Sequence, residues 1–105
     1  MICAEFCYRK GEPRSFKVSG HAGFADKGKD IVCAAVSSAV QMAANGITEI
    51  VRTKCEVTVG DDCVELVLPE SSRPAAWHFV SALRLHLTNL SEDYPGTIDI
   101  KVTEV

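Results

Sequence analysis

A chain of 105 residues, 47% apolar and with a formal net charge of −3, is sized for one compact domain spanning residues 1–105 that buries roughly two-thirds of its unfolded surface without staples. The negative balance argues against direct nucleic-acid binding, which calls for a basic face. No continuous apolar run approaches the roughly 20 residues of a membrane span, and Met1-Ile2-Cys3-Ala4-Glu5-Phe6 has neither the basic head nor the long apolar centre of an export signal, so a cytoplasmic setting with no membrane partner is expected.

Residues 2–9 and 14–19 read as two strands joined by the turn Lys10-Gly11-Glu12-Pro13. In the second, Phe16 and Val18 alternate with Ser15, Lys17 and Ser19, the pattern of a half-buried strand. Residues 20–29 form a glycine-containing loop, and a helix follows from about Asp30 to Arg52, with a bend expected near Asn45-Gly46. A hairpin over 54–60 and 63–68 turns at Asp61-Asp62. The second helix starts after Ser72, with Pro74 in its first turn where a missing N–H costs least. Its buried stripe is Ala76, Phe79, Val80, Leu83, Leu87 and Leu90. Tyr94-Pro95-Gly96 ends it, and residues 97–104 alternate as a last strand. The order β-β-α-β-β-α-β implies an α+β two-layer sandwich, with both helices on one face of a sheet.

Five cysteines, at 3, 7, 33, 55 and 63, cannot all pair within one molecule. In a reducing compartment they are expected as free thiols, most of them small buried hydrophobes. No two lie two residues apart, and His78 and His86 are spaced too widely for a ligand pair. No metal or cofactor is expected. Arg9, Lys10, Arg14 and Lys17 read as a solvated hairpin. Glu56, Asp61, Asp62, Glu65 and Glu70 form an acidic region suited to a basic partner.

The stretch that carries chemistry is residues 20–38, GHAGFADKGKDIVCAAVSS. His21 stands where the second strand ends. With Asp30 as N-cap, Cys33 falls near the third helical position, where free N–H groups and the positive helix end favour a thiolate. It also heads a polar stripe of Ser37, Gln41, Asn45, Thr48 and Arg52 and borders the apolar face without being centred on it. His21 supplies a proton acceptor near neutral pH that can later protonate a leaving amine. Backbone N–H groups around Cys33 are candidates for an oxyanion hole. Gly23 and Gly28 bracket Phe24 and let the loop act as a lid. Phe24, Val32 and Val36 are candidates to line an apolar substrate cleft.

Bland readings stand beside these. A helical cysteine is usually core, and a histidine after a strand is usually a surface residue. Asp30 reads first as a cap and second as an orienter of His21. Ser37 reads first as a hydroxyl bonded to its own helix backbone. A non-catalytic ribosome-associated binding module, and a thiol-dependent acyl transferase or redox sensor, fit the same residues.

Gly20-His21-Ala22, the glycine-bearing loop, Gly28, Asp30 and Cys33-Ala34-Ala35-Val36-Ser37 together resemble the ribosomal-processing cysteine proteases called Prp. The resemblance extends over essentially the whole chain. It implies a bacterial cytoplasmic endopeptidase with a His21–Cys33 dyad, supported by Gly20, Asp30 and Ser37. The substrate it implies is large-subunit ribosomal protein twenty-seven, relieved of an N-terminal extension by a cut after two phenylalanines. It further implies a homodimer with a loop, here residues 22–29, over the active site. The long helix is apolar over more of its circumference than one sheet face needs, which fits cover by a second helix or subunit.

Overall fold

The computed structural model describes residues 1–20 and 28–105, with side chains for all of these except residues 28–30. The strands are β1 (Ile2–Arg9), β2 (Glu12–Ser19), β3 (Glu56–Val59), β4 (Cys63–Val67) and β5 (Ile98–Glu104); the helices are α1 (Gly28–Asn45) and α2 (Pro74–Asp93). The sheet runs β3-β4-β2-β1-β5. Only the β1–β5 pair is parallel; the other three are antiparallel. The element order and the α+β two-layer class match the expectation.

Alternation along each strand divides the sheet into two faces. Ile2, Ala4 and Phe6 of β1, Phe16 and Val18 of β2, Leu66 of β4 and Ile98 of β5 are buried, and they join Val32, Val36, Ala39, Val40 and Ala43 of α1 and Ala76, Val80, Leu83 and Leu87 of α2 in one hydrophobic cluster. The opposite face carries Lys101, Glu5, Lys17 and Glu65 in one cross-strand row. Alternating charges along that row suit a solvated surface, because directly opposed unlike charges attract.

The β1–β2 connection is tighter than the four-residue turn read from the sequence. Lys10 (φ 53°) and Gly11 (φ 79°) form a two-residue hairpin turn, since positive φ at both central positions matches the twist of the flanking strands. Pro13 consequently lies inside β2, opposite Tyr8, beside a register shift at Cys7/Tyr8.

Two features of α1 differ from expectation. It starts at Gly28, two residues before Asp30; a carboxylate anywhere in the first turn complements the helix dipole, so Asp30 does not by itself mark the cap. The expected bend is a π-helical turn over Gly46–Ile50, with Val51 N–H donating to the Gly46 carbonyl at 2.9 Å. The turn opens on a glycine that packs closely against α2: a Cβ on Gly46 would lie 2.2 Å from Phe79. Residues Ile31–Ile50 are also long and apolar enough, by length and composition alone, to cross a membrane. Polar residues interrupt the run, so it does not stand out as a continuous apolar stretch in the sequence. Here the stretch is a core helix, with Val32, Val36, Val40, Ala43 and Ile47 buried.

Candidate active site

The site forms where β2 ends and α1 begins, with the β3–β4 turn facing them. Ser19 closes β2, and Gly20 follows at φ +88°, where a Cβ would stand 2.6 Å from the Met1 carbonyl oxygen. Only glycine fits that approach without strain. The Gly20 N–H donates to the Asp62 carbonyl at 2.9 Å. The strand end next to His21 in sequence is thereby tied to the β3–β4 turn.

Cys33 is half-buried and its thiol is free. It opens onto a cleft of about 250 Å³. Val18 from β2, Val36 and Val40 from α1 and Val64 from β4 supply apolar wall; Gly20, Ser37, Gln41 and the turn Gly60-Asp61-Asp62 supply the polar rim. Ser37 and Gln41 follow Cys33 at four-residue intervals, so all three lie along one side of α1. Gln41 Nε2 donates to Ser37 Oγ at 3.2 Å. Ser37 is therefore bonded by a side chain one turn on, and not to its own helix backbone as the sequence suggests. Thr48 and Thr88 show the alternative, donating to the Ala44 and Arg84 carbonyls.

The early start of α1 alters one chemical expectation. Cys33 is the sixth helical residue, so its N–H falls within the i→i−4 ladder and not among the four unsatisfied groups of the first turn. An oxyanion hole cannot rely on that N–H. Val36 lines the cleft as expected, whereas Val32 is buried in the core beneath it. Gly28 opens the helix instead of lying in the loop. His21, Gly23 and Phe24 lie outside the described residues, as does the Asp30 side chain.

Sequence reasoning finds the head of α1 but not the facing wall. The hairpin turn at 60–62 reads only as a turn, and nothing local in its residues says that β4 pairs with β2 and carries that turn to Cys33. Of the other thiols, Cys63 also lines the cleft. Burial raises the Cys55 thiol pKa above its ordinary value. The basic hairpin is partly neutralised, Arg9 meeting Glu70 at 2.9 Å and Arg14 at 3.9 Å. Among the described residues no His, Cys, Asp and Glu side chains cluster as metal ligands.

A half-exposed thiol near the head of a helix, opening onto a partly apolar cleft, suits thiol chemistry on an α+β scaffold. Comparison with known proteins narrows that chemistry. The sequence model for "Cysteine protease Prp" matches residues 1–99, and the chain belongs to this family of ribosomal-processing cysteine proteases. It is 28% identical over 92 residues to the Bacillus subtilis ribosomal processing cysteine protease Prp, covering 82% of each chain. With the Mycoplasma pneumoniae protein of the same name it shares 36% identity over 84 residues, covering 79% of this chain and 81% of that one. Among solved structures, a Streptococcus mutans protein superposes with a TM-score of 0.84 at 29% identity, covering 100% of this chain and 96% of that one. The Staphylococcus aureus Prp protease, solved with a covalently linked product peptide, reaches 0.89 over 98% of this chain and 100% of that one; at 20% identity that likeness is one of fold.

Proposed function

We propose that residues 1–105 form a cytoplasmic endopeptidase unit that removes the N-terminal extension of large-subunit ribosomal protein twenty-seven, with Cys33 as nucleophile and His21 as general base and acid. The observation that carries this reading is that Cys33 and Gly20, the residue immediately before His21, line the same cleft.

The chemistry follows in two halves. His21 takes the Cys33 proton, and the thiolate attacks the scissile carbonyl carbon. Collapse of the tetrahedral adduct breaks the C–N bond as the imidazolium protonates the leaving amine. A thioester remains, and water, deprotonated by His21, displaces the sulfur to release the acid product. Ser37, whose oxygen already accepts a bond from Gln41, keeps its own O–H as a donor toward the cleft. Gly20 positions the strand end that leads into His21.

The proposed specificity is a cut after paired phenylalanines. Val18, Val36, Val40 and Val64 give the cleft an apolar lining, and burying one aromatic side chain there contributes on the order of 2–3 kcal/mol. The relatives named as Prp proteases, one solved with a substrate peptide, support a peptide substrate. A homodimer belongs to the same proposal: Ile31 and Met42 of α1 remain about 60% exposed after α2 has covered part of that helix.

The test is cleavage of a short peptide containing Phe-Phe-Ala. Wild-type protein cuts after the second phenylalanine, and Cys33→Ala and His21→Ala each lower kcat/KM by at least about a thousandfold while leaving the circular dichroism spectrum intact. Unchanged turnover in either variant removes the dyad. Unchanged turnover when alanine replaces the phenylalanines removes the specificity.

A further inference from the structure

Proteases present an extended backbone to the nucleophile, and an extended backbone is recognised most directly by the free edge of a sheet. The β3 strand is such an edge, and it runs into the turn that walls the cleft: Gly60, Asp61, Asp62 and Val64 all line the cavity that holds Cys33. The opposite edge, β5, is separated from it by three strands.

The register identifies which groups of β3 are available. Gly60 donates its N–H to the Cys63 carbonyl at 2.8 Å, making Gly60 and Cys63 a hydrogen-bonded pair. Antiparallel ladders alternate bonded and non-bonded pairs. Thr58 opposite Glu65 and Glu56 opposite Val67 are therefore the bonded pairs, while Val59 opposite Val64 and Val57 opposite Leu66 are not. The N–H and C=O of Val57 and Val59 consequently point away from β4, off the edge of the sheet. Their side chains lie on the helix-bearing face with Leu66, yet they are 44% and 72% exposed, because neither helix reaches this far. Glu56 is the only charge in the strand, so the edge lacks the lysines and prolines that commonly discourage pairing.

We propose that the substrate peptide adds to β3 as a sixth strand, its backbone paired with Val57 and Val59 and its chain directed past Gly60 into the Cys33 cleft. Two residues spaced two apart in the substrate exchange main-chain hydrogen bonds with these valines, and side chains on that face rest against them. The inference rests on the protease reading and adds the mode by which the substrate is held.

The experiment is an N-methyl scan of the Phe-Phe-Ala peptide against wild-type protein. Cleavage of the unmodified peptide tests the protease reading separately. Methylation at two positions spaced two residues apart lowers kcat/KM about tenfold each, while methylation at the residue between them has little effect. A second arm needs no turnover: in Cys33→Ala saturated with the unmodified peptide, the amides of Val57 and Val59 gain protection from hydrogen exchange. A scan without two-residue periodicity overturns the proposal, and so does binding that leaves residues 57 and 59 unprotected. If those amides are instead protected by raising protein concentration without peptide, the edge is occupied by a second copy of the chain, which also overturns it.

Discussion

Helices α1 and α2 begin from similar patterns and serve different ends. In α2, Ala76, Val80, Leu83 and Leu87 form a fully buried stripe, and the residues beside it are solvated or support the packing. In α1, a comparable stripe of Val32, Val36, Ala39, Val40 and Ala43 is buried, but its flank carries Cys33, Ser37 and Gln41 along the wall of a cleft. The apolar stripe fixes where each helix sits; the adjoining stripe decides whether it is scaffold or site. Substitutions in the two regions should therefore separate, with scaffold changes lowering stability and cleft changes lowering turnover.

The sharpest test of that separation is Leu83→Ala. Leu83 is 1% exposed at the centre of α2's buried face, and its truncation is expected to cost about 2–5 kcal/mol of unfolding free energy, read by urea denaturation. The fraction that remains folded should keep the wild-type kcat. A fall in kcat would mean that α2 also shapes the cleft.

Gly20→Ala should show the opposite balance. Left-handed strain costs about 1–2 kcal/mol for a residue with a side chain, and here the new methyl would also press on the Met1 carbonyl. Gly96 provides the control: its φ is +80°, and a methyl added there would have nothing within 4 Å. Both alanine variants should carry the same left-handed strain, with Gly20→Ala losing more stability through its contact with Met1, but only Gly20→Ala should lose the kcat/KM for peptide cleavage of its folded fraction. Equal activity in the two would separate Gly20 from the catalytic geometry.

The smallest expected effect concerns Cys55, a scaffold thiol packed against the core. Desolvation raises its pKa, so it should be alkylated slowly by iodoacetamide near neutral pH. The unfolded chain ionises this thiol more readily than the folded one does. The associated stability is therefore present below the ordinary thiol range and is lost as pH rises through the raised folded value. Replacing Cys55 with serine should flatten that alkaline decline in denaturation experiments; an unchanged slope would assign it to other groups.

Local chemistry makes much of this molecule legible from sequence. The Gly46 irregularity is flagged by the glycine itself, although its packing partner, Phe79, is distant in sequence. The period-2 strands and the Pro74 start of α2 are readable because each is set by neighbours a few residues away. The head of α1 is readable for the same reason, although Asp30 misplaces its first residue by two. The strand order is not, since β4 lies beside β2 through contacts distant in sequence. For that reason the role of Asp61-Asp62 as cleft wall, and of Gly20 as the residue tied to it, emerges only from the fold. Ser37 illustrates a finer limit. A serine within a helix can bond back to its own turn or accept from a side chain one turn on, and the choice here depends on Gln41.

The parallel pairing of β1 with β5 joins Ile2 to Ile98, so the first strand formed waits for the last. During synthesis β1 can gain its hairpin partner β2 early, but its other edge stays open until residues 98–104 have emerged. Such a distant closure favours slow folding and leaves intermediates prone to aggregate. Premature termination before residue 98 would expose that edge permanently, making a truncated product a target for chaperones or for intermolecular strand exchange.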